Sequence, residues 1–302
     1  MSLLKGASFR PGDAHGTFVT TVDRKDWGSK MIVVTGATGN IGRPLVAALA
    51  AAGAPVTAVS RTAPAGLPEG VVHRVADLAA PESLRDVVAG ADALFLFPGG
   101  PAPAELADVA KAGGVRRLVL LSSQGAATRP EAYAFFTAYE RAVRSSVPAA
   151  TILRPSGFTT NTLGWAPSVR ASRLVEAPFG DVALPFVDPA DIAAVAAAAL
   201  LDDSHDGAEY EVTGPESLTP RERAAMIGTA LGEPVRFAEQ TPDEARARML
   251  EFMPPPIVEA TLGVLGSPLP AERRVSPDVP RVLGRPARAF AEWVADSVAA
   301  FR

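Results

Sequence analysis

The segment that most restricts how this chain folds is Gly36-Ala37-Thr38-Gly39-Asn40-Ile41-Gly42. It follows an apolar run, Met31 to Val34, and leads directly into a helical pattern. Strand, tight turn and helix in that order form the opening unit of a parallel α/β sheet. Glycines at this spacing let the backbone turn sharply and approach a ligand with no Cβ in the way. A helix beginning near Ile41 turns free N–H groups and a partial positive charge toward the same place. That suits an anion, above all the pyrophosphate of a dinucleotide.

The first half of the chain keeps this rhythm. Its pattern predicts strands over 32–35, 55–60, 71–75, 93–97, 117–122 and 150–153, alternating with helices over 41–52, 81–89, 103–112 and 131–145. The third to fifth strands are read as nearly all apolar, as in a parallel sheet covered on both faces. The expected fold class is α/β, a doubly wound parallel sheet (Rossmann fold) with a smaller mixed C-terminal substrate portion. After Arg154 the rhythm loosens, with strands expected over 182–187, 209–213 and 234–237 and helices over 189–201, 220–231, 242–252 and 287–300. The prolines Pro254-Pro255-Pro256 read as a break. The expected division is therefore a flexible N-terminal extension (1–30), a dinucleotide-binding core (31–154) and a smaller C-terminal substrate-binding portion (155–302) interleaved with the core.

Composition narrows the function. A chain of 302 residues, 48% hydrophobic, buries a sizeable core, and a net charge of -4 with scattered Lys and Arg argues against a nucleic-acid surface. Cysteine is absent, which excludes disulfides and thiolate chemistry, and His15, His73 and His205 lie too far apart for a ligand cluster, so no metal is expected. No apolar run reaches the ~18 residues of a membrane span. The first thirty residues carry no apolar stretch of signal-peptide type. These features point to a cytoplasmic protein acting on a small-molecule substrate, with no nucleic acid and no membrane as partner and a homodimer as the assembly to test.

Candidate site residues gather at the predicted strand ends. Gly36, Thr38, Gly39, Asn40, Ile41 and Gly42 form the phosphate turn. Ser60-Arg61-Thr62 closes the second strand where an NAD-specific site carries an acid. A guanidinium there can pair with a ribose 2′-phosphate, so NADP(H) is expected in preference to NAD(H). Asp77 and Leu78 follow the third strand. Asp77 is positioned either to accept from the adenine amino group or to close its own loop. Phe97 and Pro98, with Gly99-Gly100, follow the fourth strand beside the ribose and pyrophosphate.

Ser122 and Ser123 end the fifth strand, as a catalytic hydroxyl or as a turn cap. The usual companion, a tyrosine four residues before a lysine, is missing: Tyr133 and Tyr139 have no such lysine, and none occurs after Lys111. Tyr133 joins the two serines as a candidate proton donor. Arg154, Pro155, Gly157 and Phe158 end the sixth strand near the nicotinamide, although Arg154 can equally be a buried cation paired with Glu140. Asp188 and Asp191 fit a helix N-cap and a first-turn acid better than an acid–base pair.

As a set these segments resemble the NmrA-like family of atypical short-chain dehydrogenases/reductases, over roughly residues 31–302. The resemblance rests on Thr35-Gly-Ala-Thr-Gly-Asn-Ile-Gly42, Ser60-Arg61, Ala76-Asp77-Leu78, Glu140-Arg141-Ala142-Val143 before Thr151-Ile-Leu-Arg-Pro155, and Phe186-Val-Asp-Pro-Ala-Asp-Ile192. It extends to Tyr210-Glu-Val-Thr-Gly-Pro-Glu216 and Arg285-Pro-Ala-Arg-Ala-Phe-Ala-Glu-Trp293. It implies an NADP(H)-binding protein of one of two kinds. One is a reductase of quinones, enones or phenylpropanoid ethers, which makes an NADPH-dependent reductase of a small apolar quinone, enone or carbonyl compound the expected function. The other is a catalytically silent sensor that binds a protein partner. Reductase relatives often carry Lys or His where Phe136 stands here, which leaves the proton to a weaker donor. Phe136, Phe158 and Trp165 are the residues expected to line the substrate side.

Overall fold

A computed structural model describes residues 30–302, so all but the last residue of the expected N-terminal extension lies outside the described residues. The strands in chain order are β1 (Met31–Thr35), β2 (Val56–Ser60), β3 (Val72–Val75), β4 (Ala91–Leu96), β5 (Arg117–Leu121), β6 (Thr151–Pro155), β7 (Gly157–Phe158), β8 (Leu174–Ala177), β9 (Leu184–Val187), β10 (Glu209–Val212), β11 (Ser217–Leu218) and β12 (Arg236–Glu239). Seven of them form one sheet in the order β10-β6-β5-β4-β1-β2-β3, with every pairing parallel. The order reverses between β1 and β4. Open α/β sheets bind ligands outside the strand carboxyl ends at such a point.

Strand alternation sets which residues meet. Ile32, Val34, Phe95, Val119 and Leu153 face one core, against the helices Gly42–Ala51 and Pro189–Leu201. Val33, Leu94, Leu96, Leu118, Leu120 and Ile152 face the other, against Pro103–Ala112 and Ala134–Ser146. Each such side chain, essentially removed from water, contributes at most about 1.5–3 kcal/mol. One expectation is corrected here. Of the strands read as apolar, β3 is the sheet's edge and mostly exposed, with Val72 52% and Val75 65% exposed. His73 and Arg74 within it are the polar marks of an edge strand.

Residues beyond 154 are stitched into this layer. Strand β10 pairs with β6 (Tyr210 beside Leu153), and Pro189–Leu201 packs beside Gly42–Ala51 on the sheet. The remaining strands form a three-stranded sheet, β11-β9-β7, and a parallel pair, β12-β8. A satellite core beside them holds Val169, Val175, Ile227, Phe290, Trp293 and Phe301. The triple proline does not end structure but starts it: Pro254 is the N-cap of the helix Pro255–Gly266. Proline is tolerated in the first turn, where no N–H is required, and its fixed φ suits the helix.

Candidate active site

The site is built from the carboxyl ends of β1, β4, β5 and β6. Gly36 adopts φ +65°, a left-handed conformation, and a Cβ on it would lie 3.1 Å from the Phe97 side chain. A Cβ on Gly42 would lie 2.1 Å from the Gly36 carbonyl oxygen, so helix and turn touch backbone to backbone. The turn is tied internally by Gly39 N–H to Gly36 O at 3.0 Å and by Arg43 Nε–H to Thr38 O at 2.9 Å. The helix Gly42–Ala51 begins with no side-chain cap and no acid in its first turn. Its leading N–H groups and positive dipole end face the strand edge, and the cradle fits a diphosphate. Ile41 is buried in the core, so it can offer only its backbone; Thr38 is half-buried and Asn40 exposed.

Around this cradle Thr35 Oγ1 donates to Phe95 O (2.9 Å) and accepts from Phe97 N–H (2.8 Å), fixing the chain after β4. Phe97 lies 42% exposed over Gly36, while Pro98 is buried. Tyr139, fully buried, holds the next two residues: its hydroxyl meets the Gly99 carbonyl, Gly100 O (3.1 Å) and Gly99 N–H (3.1 Å). Leu78 packs on Gly99. Asp77 closes its own loop, with Oδ1 accepting from Ala79 N–H at 3.0 Å and its backbone bonded to Ser83. Arg61 stands exposed past β2 with no carboxylate partner among the described residues. Beside it Ser60 Oγ donates to Thr62 O (2.7 Å) and meets His73 Nε2 (2.9 Å).

Beyond β5 and β6 lies a cavity of about 210 Å³. One wall is Ser123, Gly125 and Tyr133, another is Pro155, Ser156 and Gly157, a third is Leu184, Pro185 and Phe186, and Thr261, Val264 and Leu265 form a roof. The roof comes from the helix Pro255–Gly266, which sequence patterning missed because of its prolines. A clamp fastens it: Glu272 accepts from Arg129 Nε (2.8 Å), Thr128 Oγ1 (2.8 Å) and Leu269 N–H (2.8 Å), and Arg129 also donates to Ser267 O (2.9 Å). Burial pushes the Glu272 carboxyl up, but those bonds and the Arg129 charge outweigh it and hold it below the ordinary value. Tyr133 packs on Gly125, where a Cβ would lie 2.4 Å from its ring. Burial, reinforced by the Glu272 charge and opposed by Arg129, raises the Tyr133 phenol above its usual pKa.

Several candidates are placed elsewhere. Ser122 is turned away from the cavity into a buried ion cluster, where Oγ donates to Glu140 Oε1 at 2.6 Å. Arg154 is the cation of that cluster, 2.6 Å from Glu140 and 2.6 Å from Glu209, so its side chain is committed to the ion pair. Burial raises the Glu140 carboxyl, yet the bonds from Arg154 and Ser122 and the charges of Arg154 and Arg144 take it below the ordinary value. Ser123 does line the cavity, but as the N-cap of Gln124–Thr128, accepting from Gly125 N–H at 3.2 Å.

Phe158 packs on the main core. Phe136 stands against Phe135 and Tyr133, outside the cavity wall. Trp165 is also off the wall, in the satellite core, because the Arg223 guanidinium lies 4.9 Å from its ring centre and 3.8 Å from that of Phe186. Burial lowers that guanidinium to about 9, which still leaves it charged at neutral pH. Asp188 caps its helix through Ala190 N–H (2.8 Å) and pairs with Arg288, and Asp191 accepts from Arg288 N–H (2.6 Å), so both are structural. Among the described residues no group of three or more His, Asp or Glu could hold a metal ion, and no helix is long and apolar enough to cross a membrane.

A glycine cradle at the sheet's reversal point and a small cavity past β5 and β6 together belong to a nucleotide-dependent oxidoreductase, as the relatives show. The chain belongs to the family whose model, described as NAD(P)H-binding, matches residues 36–203. Among curated relatives it is 41% identical over 281 residues to a (4-alkanoyl-5-oxo-2,5-dihydrofuran-3-yl)methyl phosphate reductase of Streptomyces griseus, covering 90% of this chain and 99% of that protein. It is 33% identical over 283 residues to an NAD(P)H azoreductase of Xenophilus azovorans, again covering 90% of this chain and 99% of the relative. Among solved structures, the NADPH complex of a quinone oxidoreductase from Escherichia coli shares the fold at TM-score 0.75 and 23% identity, over 88% of this chain and 99% of that one.

Proposed function

We propose that the chain is an NADPH-dependent reductase of a small, flat, uncharged acceptor whose π system is conjugated to oxygen: a quinone, an enone or a related carbonyl compound. The observation that carries this is the chemistry of the cavity wall. It mixes apolar side chains with neutral polar ones, Gln124 and Asn161 among them, it holds one phenol, and among the described residues no Lys or Arg lines it. The S. griseus relative is named for an unsaturated oxo ring that bears a phosphate. Here the wall's one carboxylate, Glu272, is already paired with Arg129, and among the described residues the wall offers no cation to a phosphate. Arg61, exposed and without a carboxylate partner among the described residues, supports NADPH over NADH.

When bound, the reduced coenzyme supplies a hydride to the acceptor. The protein's part is placement, dryness and a proton. The glycine turn and the uncapped helix hold the diphosphate, and Tyr139 keeps Gly99 and Gly100 in place beside it. Phe186, Leu184, Val264 and Leu265 exclude water, which strengthens every polar contact made inside. Tyr133, like any phenol, keeps its proton at neutral pH, and burial raises its pKa further, so its hydroxyl can donate to an oxygen that gains charge.

Coenzyme oxidation by the purified protein, with NADPH and NADH in turn against quinones, enones, azo compounds and a phosphorylated butenolide, tests the assignment. Turnover with uncharged conjugated acceptors and NADPH is expected. Saturable NADPH binding with no turnover on any acceptor would refute it and favour a nucleotide sensor.

A further inference from the structure

Ser156 is the first residue past β6, and its N–H is bonded to Val212 O at 3.1 Å, which fixes where it sits. Its neighbours Pro155 and Gly157 line the cavity with it, and Gly157 is held in register with Phe186. Ser156 is 8% exposed, and its Oγ is buried without any hydrogen-bond partner. Buried hydroxyls in native proteins are almost always bonded, and one left over at a ligand cavity calls for a ligand. The other hydroxyls there have partners: Ser123 Oγ accepts from Gly125 N–H and Thr261 Oγ1 donates to Ile257 O (2.8 Å). Two have no bonding partner among the described residues, Ser156 and Tyr133, and both line the same small space.

We propose that Ser156 is a catalytic residue whose hydroxyl donates a hydrogen bond to the acceptor's oxygen while Tyr133 supplies the proton. This rests on the reductase assignment above and deepens it. The acceptor is the oxidant and the reduced coenzyme the reductant. A C–H bond of the coenzyme breaks and a C–H bond forms at the acceptor carbon, with both electrons. The acceptor's π pair moves onto its oxygen, where negative charge grows. The Ser156 hydroxyl meets that charge, the oxygen takes the Tyr133 proton, and solvent returns one proton to the phenolate. A fixed donor aimed at developing charge in a dry site acts chiefly on the transition state.

The test is Ser156→Ala with a quinone and an enone, read beside thermal unfolding and NADPH titration. Removing a buried, unbonded hydroxyl leaves no new orphan group, so the variant is expected to melt at or above the wild-type temperature. NADPH affinity should stay within about twofold, while kcat falls on the order of 10²-fold with KM changed far less. In the double variant with Tyr133→Phe, the loss should be smaller than the product of the two single losses, because the two hydroxyls act on one oxygen. Wild-type kcat in Ser156→Ala overturns the proposal while leaving the reductase assignment intact. Loss of NADPH affinity or melting temperature in step with activity also overturns it, by giving Ser156 a coenzyme or structural contact. Absence of wild-type turnover on every acceptor removes the reductase assignment itself.

Discussion

Gly42→Ala places one methyl group where the fold has no room for it. The new Cβ would begin 2.1 Å from Gly36 O and 2.7 Å from Ala37 Cα, and both are backbone atoms, so no side chain can step aside. To reach even 3.0 Å, the start of the helix Gly42–Ala51 must retreat from the turn by 3.0 − 2.1 = 0.9 Å. That movement carries the leading N–H groups away from the diphosphate. Losing one charge-assisted hydrogen bond is worth about 1.5–3 kcal/mol. At 1.4 kcal/mol per factor of ten, this predicts a rise in the NADPH Kd of roughly 10- to 100-fold. Overpacking should lower stability by about 1–3 kcal/mol as well.

Gly53→Ala separates the two effects. Gly53 has φ +76° and nothing within 4 Å of the position its Cβ would take, so alanine there is strained without a clash. It should cost about 1–2 kcal/mol of stability and leave NADPH binding unchanged. Calorimetric titration with NADPH beside thermal unfolding of both variants measures this. A Gly42→Ala protein that binds NADPH within twofold of wild type would refute the backbone-contact account of the cradle.

Arg61→Glu should weaken NADPH by roughly 10- to 100-fold, the worth of a charged hydrogen bond, and NADH by less than about threefold; equal losses in the two titrations would remove Arg61 from the 2′-phosphate site. Tyr133→Phe should lower kcat on the order of 10²–10⁴-fold with NADPH binding intact. Because burial raises the Tyr133 pKa, the alkaline fall in wild-type kcat should begin above the ordinary phenol value of about 10 and vanish in Tyr133→Phe, as pH–rate profiles would show. Glu140→Gln should cost about 1–3 kcal/mol in urea unfolding at neutral pH, since Arg154 then keeps only Glu209 as a charged partner. Glu140 lies below its unfolded pKa, so its contribution is present above the ordinary carboxylate value and is lost as pH falls through the lowered one. The variant's stability should therefore decline less across that acid range.

The cradle and the sheet were legible because local chemistry dictates them. Glycine spacing after an apolar run has few other uses, and the alternation through Ile32, Val33 and Val34 assigns opposite faces without any knowledge of partners. The third strand was misjudged because three valines outweighed His73 and Arg74, although it is those two that mark an edge. What could not be read was which side chains tertiary contacts had already claimed. Ser122 and Ser123 are neighbours at a strand end, and only packing shows that one serves Glu140 and the other caps a helix. Arg223 decides the role of Trp165 from 58 residues away. The roof escaped notice because prolines usually interrupt helices, and three together looked like a boundary rather than an opening.

Strand β10 lies at one margin of the large sheet, yet its residues arrive more than fifty positions after those of its neighbour β6. During synthesis the β6 backbone is therefore made long before the strand that covers it, with its amides and carbonyls open to any passing β segment. Such an unpaired margin invites aggregation. Until residues 209–212 emerge, β6 has a neighbour on one side alone, and the sheet's last parallel pairing waits on the whole intervening segment.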